Sequence, residues 1–279
     1  MRTALSPLEV ETARDLADAL AKKAQDPERV PLAGCTDVYV TLEFGTLPAS
    51  HRRFLNLWPL RRELGGIALT SGTLRLGAMA TFTDCARSPL VMTHLPMLVD
   101  AAKQVGGLQI QNRGTLGGNV ANGSPAGDSL PVLAAAEATV VLASVRGERR
   151  VPFAAFYTGY RKNVMAQDEL ITAFELPVEG LRDQWFRKVG TRAAQAISKV
   201  ALAGCRGTDG AVRLAAGSVG PTVLRLPHTE WALAQGADAA QLRAMVAHDI
   251  TPVDDLRSTR DYRLLVAQNL IASRYTPAR

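Results

Sequence analysis

Residues 114–131 read GTLGGNVANGSPAGDSLP, and this stretch says more about the fold than any other. Extended back to Gly106, it holds seven glycines within 22 residues and almost no charge. Glycine loses more conformational freedom on folding than other residues, so such a cluster usually marks unusual dihedral angles or a close approach to the main chain. From composition alone, an ordinary surface loop and a ligand-binding loop are equally supported.

The bulk composition limits the possible partners. The chain has 279 residues, 47% of them hydrophobic, and can bury one large core or two smaller ones. Its formal charge of +6 suits an anionic ligand or an acidic partner protein. The basic residues are scattered singly or in pairs, and only 5% of residues are aromatic. We therefore expect no binding of nucleic acid.

Cysteine usage and hydropathy indicate the compartment. Cys35, Cys85 and Cys205 lie far apart and form no CxxC pair, which disfavours a zinc ribbon or an iron–sulfur cluster held by this chain alone. The start of the chain lacks the apolar segment of a signal peptide, and no apolar run of about 18 residues follows. We expect a cytoplasmic protein with no membrane insertion.

The first part of the chain is typical of a small α/β unit. Ser6-Pro7-Leu8-Glu9 has the spacing of a capping box, and apolar residues continue at helical period to Leu20. This pattern predicts a helix with Pro7 at its first position. Residues 29–33 predict a short strand that runs into the polar turn Gly34-Cys35-Thr36-Asp37.

The pattern changes near residues 177–182, which we interpret as a domain boundary. Before it, the sequence predicts a hairpin, two helices and two strands, over residues 67–77, 95–105, 131–138, 139–143 and 169–174. After it come three strands and then two helices, over residues 185–189, 197–203, 211–218, 238–247 and 261–273. Strands followed by helices indicate a smaller α+β unit.

Common catalytic motifs are missing from the sequence. It contains no GxxxxGK[ST], no GxGxxG that opens a helix, no HExxH and no GxSxG. The four histidines are isolated in sequence, and each is better explained as a surface residue. A hydrolytic triad assembled in three dimensions stays open, but nothing favours one, and we expect no acid–base catalytic residue.

Two polar segments carry the chemistry that the sequence does contain. The first, LAGCTD (32–37), follows a strand and can turn successive N–H groups toward a phosphate. In the second, Thr115 and Asn119 can donate hydrogen bonds to an anion, and paired glycines allow a close approach. Asp128 only accepts when ionised and so suits sugar hydroxyls. This order of groups suits a dinucleotide such as FAD.

These segments resemble motifs of one family. AGCTDVYV (33–40) is similar to an AGGT/S-type loop, and TLGGNVANGSPAGDSLP (115–131) is similar to a TIGGN…SP..D..P segment. The AGGT/S-type loop and the TIGGN…SP..D..P segment are motifs of the FAD-binding subunit of molybdenum hydroxylases, the xanthine dehydrogenase and carbon monoxide dehydrogenase group, which this chain therefore resembles. The resemblance covers nearly the whole chain and continues in LGAMATFTD (76–84), ELITAFELP (169–177), FRKVGTRAAQAISKV (186–200) and STRDYR (258–263).

The resemblance implies an α+β fold in two domains. Residues 1–178 would form a two-part FAD-binding fold of the vanillyl-alcohol-oxidase (PCMH) type, with residues 1–57 and 58–178 as its lobes. Residues 179–279 would form a small α+β C-terminal domain.

The resemblance also implies which residues hold the cofactor. The backbone of the first segment would wrap the diphosphate through Leu32, Ala33, Gly34, Cys35, Thr36, Asp37 and Val38. Thr115, Gly118 and Asn119 would close this site from the second segment. Ser124 belongs to the same site, and Asp128 would bind the ribityl or ribose hydroxyls.

Further positions follow from the same likeness. Ile171 would lie against the flavin ring, a role compatible with that of a core strand residue. Lys188 would lie near the isoalloxazine and stabilise an anionic reduced flavin, and an exposed strand lysine is the alternative. Cys35 stands where the family commonly has glycine or asparagine. This change is compatible with cofactor binding, because the contacts implied at this position are made mainly by the backbone. Around Asp100, some xanthine dehydrogenases place a phenylalanine against the adenine of FAD. This chain has no aromatic residue there, so the resemblance does not extend to adenine stacking.

The implied function is electron transfer. FAD would be bound noncovalently, with molybdopterin on a large partner subunit and [2Fe–2S] clusters on a small one. Electrons would pass from those clusters to FAD and on to NAD⁺ or another acceptor. The alternatives are a flavin-free structural subunit that bridges the same partners and a standalone flavin oxidase of related fold. The sequence does not name the substrate, because the substrate pocket would lie on another polypeptide, and it does not name the electron acceptor either.

Overall fold

A computed structural model describes residues 8–47 and 52–276. The described residues begin with a parallel three-stranded sheet in the order β1-β3-β2. Its strands are β1 (Glu9–Thr12), β2 (Val30–Leu32) and β3 (Arg53–Asn56). Helix α1 (Leu16–Gln25) connects the first two strands, and α2 (Thr36–Glu43) follows β2 directly. A helix between parallel strands is the usual way to return the chain to the same edge.

The helix predicted from Pro7 is wrong over residues 8–15. Ser6 and Pro7 lie outside the described residues, and the chain that follows is strand β1, which pairs with β3 from Glu9↔Arg53 onward. Helix α1 starts later because Asp15 is extended and its side chain accepts a hydrogen bond from the Asp18 amide. The capping side chain is therefore Asp15, an N-cap of the ordinary kind.

Beyond the first sheet, the chain builds a five-stranded antiparallel sheet in the order β4-β5-β10-β6-β7. Its strands are β4 (Ile67–Thr70), β5 (Thr73–Gly77), β6 (Thr139–Ser144), β7 (Gly147–Pro152) and β10 (Leu170–Pro177). A two-stranded hairpin, β8 (Tyr157–Gly159) and β9 (Lys162–Asn163), lies outside this sheet. The predicted hairpin and the strands predicted at residues 139–143 and 169–174 are confirmed.

Short helices join β3 to β4 and β5 to β6. They are α3 (Arg61–Leu64), α4 (Phe82–Arg87), α5 (Pro89–His94), α6 (Pro96–Ala102), α7 (Leu108–Gln111), α8 (Leu116–Asn122) and α9 (Ser129–Ala135). Thr81 and Asp84 form the capping box that starts α4. The helices predicted at residues 95–105 and 131–138 correspond to α6 and α9, and both are shorter than predicted.

The rest of the chain forms a four-stranded antiparallel sheet, followed by helices. Its strands, in spatial order, are β11 (Arg182–Val189), β12 (Val200–Arg206), β13 (Val212–Gly217) and β14 (Leu224–Arg225). Then come α10 (Pro227–Ala234), α11 (Ala239–Asp249) and α12 (Arg260–Tyr275). Helix α10 was not predicted. No helix among the described residues is both long and apolar enough to cross a membrane.

The two faces of this last sheet serve two cores. Leu202 and Leu214 face one way and pack in a cluster with Val246 and Ile271 of the helices. Their neighbours along the strands, including Ala203 and Ala215, belong to the large core of residues 74–178. Because successive residues of a strand point to opposite faces, β12 and β13 attach the C-terminal region to the part that precedes it.

Candidate functional site

The first polar segment forms an open helix N-terminus. Strand β2 ends at Leu32, and α2 begins at Thr36. Between them Cys35 has a left-handed backbone with φ 63°, and no side chain caps the helix. The first amides of an α-helix have no partner inside the helix. A left-handed residue before such amides produces a concave row of N–H donors that suits a phosphate.

Gly34 brings this segment against the second one. A Cβ on Gly34 would lie 1.8 Å from the carbonyl oxygen of Arg113. A few residues farther along both segments, Asn122 Nδ2 donates to Asp37 Oδ1 at 3.2 Å. Two stretches about 80 residues apart therefore lie side by side, and we call these two segments, residues 32–38 and 113–122, the shared cradle.

The second segment is a capped helix rather than an open loop. Thr115 is buried, and its Oγ1 accepts a hydrogen bond from the Gly118 amide at 3.1 Å. The amide of Gly117 donates to Ala78 O at 2.8 Å, and that of Leu116 to Ala80 O at 2.9 Å. These three amides already have protein partners, so the free backbone donors of the site come from the first segment. The glycines supply clearance: a Cβ on Gly117 would lie 2.8 Å from Ala78 O.

Asn119 carries the polar side chain of α8 that was predicted to donate to an anion. Its Oδ1 accepts a hydrogen bond from Ser129 Oγ at 2.7 Å, and the residue is partly exposed. With Oδ1 fixed by Ser129, the Nδ2 group is left to donate elsewhere. Ser124 lies just beyond this helix, where its Oγ accepts from the Ala126 amide at 3.3 Å and shapes the turn.

Asp128 and Lys188 meet at a buried ion pair. Lys188 Nζ lies 2.6 Å from Asp128 Oδ2, and both side chains are under 10% exposed. Ser198 Oγ donates to the other carboxylate oxygen, Oδ1, at 2.5 Å. Burial raises the pKa of Asp128, while the charge and hydrogen bond of Lys188 and the hydrogen bond of Ser198 oppose the rise. The bond between Asn119 and Ser129 connects this pair to the cradle, since Ser129 follows Asp128.

Ile171 lies in β10, next to an irregularity in the strand. The register with β6 shifts between Ile171 and Ala173, and Ile171 packs half-buried against the large core. Helix α8 contacts β10. The structure thus brings together residues 32–38 with 113–122, and Asp128 with Lys188, while Ile171 lies on the strand behind α8.

Sequence reasoning missed several residues of this region. Ser198 and the Gln104 carbonyl, which accepts from Lys188 Nζ at 2.8 Å, were not singled out. Neither was Arg113, whose guanidinium lies 3.7 Å from the centroid of the Trp58 ring. Burial raises the pKa of the Cys35 thiol, and the positive charge of Arg113 opposes the rise. The Arg113 carbonyl lies against Gly34, so Arg113 borders the first segment. The signal for Arg113 was its position directly before the glycine motif.

One of the described histidines, His228, pairs with a carboxylate. His228 Nδ1 lies 2.8 Å from Asp249 Oδ1, in the helical layer of the C-terminal region. Throughout residues 8–47 and 52–276, no group of three or more His, Cys, Asp or Glu side chains is arranged to hold a metal ion.

Comparison with known proteins agrees with this geometry. The family model described as the FAD binding domain in molybdopterin dehydrogenase matches residues 6–179. The model of the CO dehydrogenase flavoprotein C-terminal domain matches residues 185–278. These matches define the class of the protein, an FAD-binding chain with a flavoprotein C-terminal domain.

Relatives and solved structures narrow the class to a family. The xanthine dehydrogenase FAD-binding subunit of Escherichia coli O157:H7 is 35% identical over 271 residues, which cover 92% of this chain and 91% of that protein. The carbon monoxide dehydrogenase medium chain of Hydrogenophaga pseudoflava is 32% identical over 75% of this chain and 76% of that protein. A structure of carbon monoxide dehydrogenase from the same organism, lacking the Mo-pyranopterin moiety, superposes with a TM-score of 0.87 at 27% identity, covering 95% of this chain and 94% of that chain.

The chain belongs to the FAD-binding medium-chain subunits of the molybdenum hydroxylase family, the xanthine dehydrogenase and carbon monoxide dehydrogenase group. It is an oxidoreductase subunit, and the expected fold class is confirmed.

Proposed function

We propose that this chain holds FAD noncovalently between α2 and α8 and serves as the electron-transfer subunit of a larger complex. The observation that carries the proposal is the contact between Gly34 and the Arg113 carbonyl, which brings the segment that leads into the uncapped helix α2 against the segment that leads into α8 and Asn119. The same feature favours a flavin-binding chain over the flavin-free bridging subunit, because a scaffold has no need for an open row of donors.

The diphosphate would be held mainly by the first segment. The amides of residues 35–38 would donate to its oxygens, with Leu32, Ala33 and Gly34 setting the path of the backbone. From the second segment, Asn119 Nδ2 would donate, and Thr115 and Gly118 would shape the wall. Arg113 adds a positive charge beside Cys35. These groups fit a diphosphate, because they combine peptide donors and a cation.

The sugar and the flavin would lie toward the contact with the C-terminal region. Asp128 would accept from ribityl or ribose hydroxyls, since a carboxylate has lone pairs beyond those that Lys188 and Ser198 use. Ser124 would border this part of the site, and Ile171 would present its apolar side chain to the ring system. Lys188 would lie near the isoalloxazine. We place the domain boundary between residues 178 and 179, which makes this an interdomain site.

Bound FAD would supply a group able to collect single electrons and pass them on, and the protein would contribute position and potential. We propose a large molybdopterin-binding subunit and a small [2Fe–2S] subunit as partners, in the cytoplasm. The medium-chain names of the relatives support a multi-subunit complex. NAD⁺ is one acceptor to be tested, and oxygen and quinones are others.

The test is purification of the chain with and without its partner subunits. We expect a yellow protein whose flavin absorbance is released on denaturation and identified as unmodified FAD. Colourless protein that takes up no added FAD, in the chain alone and in the complex, would contradict the proposal. Rapid reduction of bound FAD by the reduced small subunit would support electron transfer, and a flavin that stays oxidised would refute it.

A further inference from the structure

Three hydrogen bonds join Asp128 and Lys188 to their surroundings. Lys188 Nζ donates to Asp128 Oδ2 at 2.6 Å and to Gln104 O at 2.8 Å. Ser198 Oγ donates to Asp128 Oδ1 at 2.5 Å. Lys188 and Ser198 come from β11 and from the segment before β12, while Asp128 and Gln104 come from the part before residue 178. All three bonds therefore cross between the two regions.

The bonding capacity of these groups shows what is left for a ligand. An ammonium group has three N–H donors, and Lys188 uses two of them. One donor remains. Asp128 has both oxygens engaged, and it does not cap α9, the helix that it precedes. Its side chain is directed to the lysine instead. The carboxylate is thus oriented by Ser198 to face Lys188.

Because the pair is buried, the charges of Lys188 and Asp128 are screened little by water. Side-chain exposures of 6% for Lys188 and 7% for Asp128 leave little water to screen either charge. An ion buried alone is strongly disfavoured, whereas a paired one is tolerated. A ligand that contacts Lys188 therefore meets an ammonium whose charge is largely compensated.

We propose that Asp128 is the counter-charge of Lys188 and that this pair lowers the reduction potential of the flavin below the value that Lys188 alone would give. The inference rests on the proposed function, which places the flavin beside Lys188. Ser198 is a positioning residue that acts through the carboxylate.

The test is the potential of bound FAD in the Asp128→Asn variant. Asparagine keeps the shape, an acceptor for Lys188 and a partner for Ser198, but it removes the negative charge. The uncompensated ammonium should favour the reduced, more negative flavin. We expect the affinity for reduced FAD to rise about tenfold relative to oxidised FAD, equal to a shift of about 30 mV for a two-electron couple. Lys188→Met should lower the potential, and the double variant should return toward the wild type.

Asp249→Asn is the matched control. Asp249 is also a buried carboxylate, 1% exposed, but it bonds Thr229 and His228 in the helical layer. Its loss should leave the flavin potential unchanged. Potentials are measured by spectroscopic titration of the purified, FAD-loaded chain, and folding is checked by thermal denaturation.

Four outcomes would contradict these proposals. A potential that is unchanged or lowered in folded, FAD-loaded D128N overturns the counter-charge role. Folded D128N that takes up no FAD even at saturating concentration, while K188M still binds, shows that Asp128 acts through its contacts with the ribityl or ribose hydroxyls rather than as a counter-charge, and overturns it too. If D128N alone does not fold, the charge of Asp128 is tested by comparing K188M, which keeps the carboxylate, with the double variant, which lacks it. The flavin potential must then be lower in K188M than in the double variant, or the proposal fails. A wild-type chain that takes up no FAD refutes the proposed function itself.

Discussion

Gly34 lies so close to the carbonyl oxygen of Arg113 that a Cβ on Gly34 would come within 1.8 Å of it. The neighbouring atom belongs to the main chain, so no side-chain rotation can relieve such a clash. This contact brings the turn before α2 against the turn before α8. The geometry of the proposed diphosphate site therefore depends on a glycine at this position.

Substitution of Gly34 by alanine should separate the two segments. We expect a loss of stability of about 1–3 kcal/mol, typical of overpacking, and a fall in FAD affinity of at least about 100-fold, because a displacement of about an ångström disrupts aligned donors. Fluorescence titration with FAD measures the affinity. Gly66→Ala is the matched control, because a Cβ there meets nothing within 4 Å. Unchanged affinity in G34A would contradict the shared cradle.

Asn119→Asp should weaken FAD binding without unfolding the chain. The new carboxylate can still accept from Ser129 Oγ, but it replaces the Nδ2 donor by a negative charge. A hydrogen bond to a charged group contributes about 1.5–3 kcal/mol, so we expect an affinity loss of roughly 10- to 150-fold. Ser129→Ala removes only the hydrogen bond that Ser129 Oγ donates to Asn119 Oδ1 and leaves the Nδ2 donor in place, so we expect a much smaller loss of FAD affinity. Equal losses in the two variants would show that Asn119 acts only through packing.

Cys35→Gly should leave FAD binding intact and increase stability. A left-handed backbone costs a non-glycine residue about 1–2 kcal/mol, and the greater entropy of unfolded glycine offsets part of this. We expect a gain in the free energy of unfolding of up to about 1 kcal/mol, measured by urea denaturation. A marked loss of FAD affinity would mean that the thiol itself contacts the cofactor.

Glu169 should make stability depend on pH in the acid range. Its side-chain hydrogen bonds to Arg149, at 2.6 and 2.8 Å, lower its pKa below the ordinary value. A carboxyl with a lowered pKa in the folded state stabilises the fold above its unfolded pKa of about 4.3, and this stabilisation is lost as pH falls through the folded pKa. Glu169→Gln should therefore flatten the stability curve below about pH 4.3. Glu148→Gln, at an exposed position, should not.

The sequence predicted the large strands and the grouping of the site better than its local chemistry. Residues 139–143 were identifiable because a buried strand is rich in β-branched residues. The strand at Glu9–Thr12 was missed because its pairing with β3 is set 44 residues away, which a local helical period does not reveal.

In the candidate site, too, the positions were predictable from sequence, but hydrogen bonds to distant segments were not. Motif likeness pointed to Gly34, Asn119 and Asp128, and the structure brings their segments together. The amides of residues 116–118 could not be judged from sequence, because their acceptors belong to Thr115 and to the separate segment 78–80. The bonding of Asp128 to Ser198 likewise arises only when β12 packs against α9.

The diphosphate site is tested most directly by comparing the affinity of the purified chain for FAD with its affinity for riboflavin, which keeps the ring system and the ribityl chain but lacks the diphosphate and the adenosine. If the α2 amides and Asn119 bind the diphosphate, FAD should bind at least about 100-fold more tightly, as expected for two charge-assisted hydrogen bonds. Equal affinities for FAD and riboflavin would contradict the account.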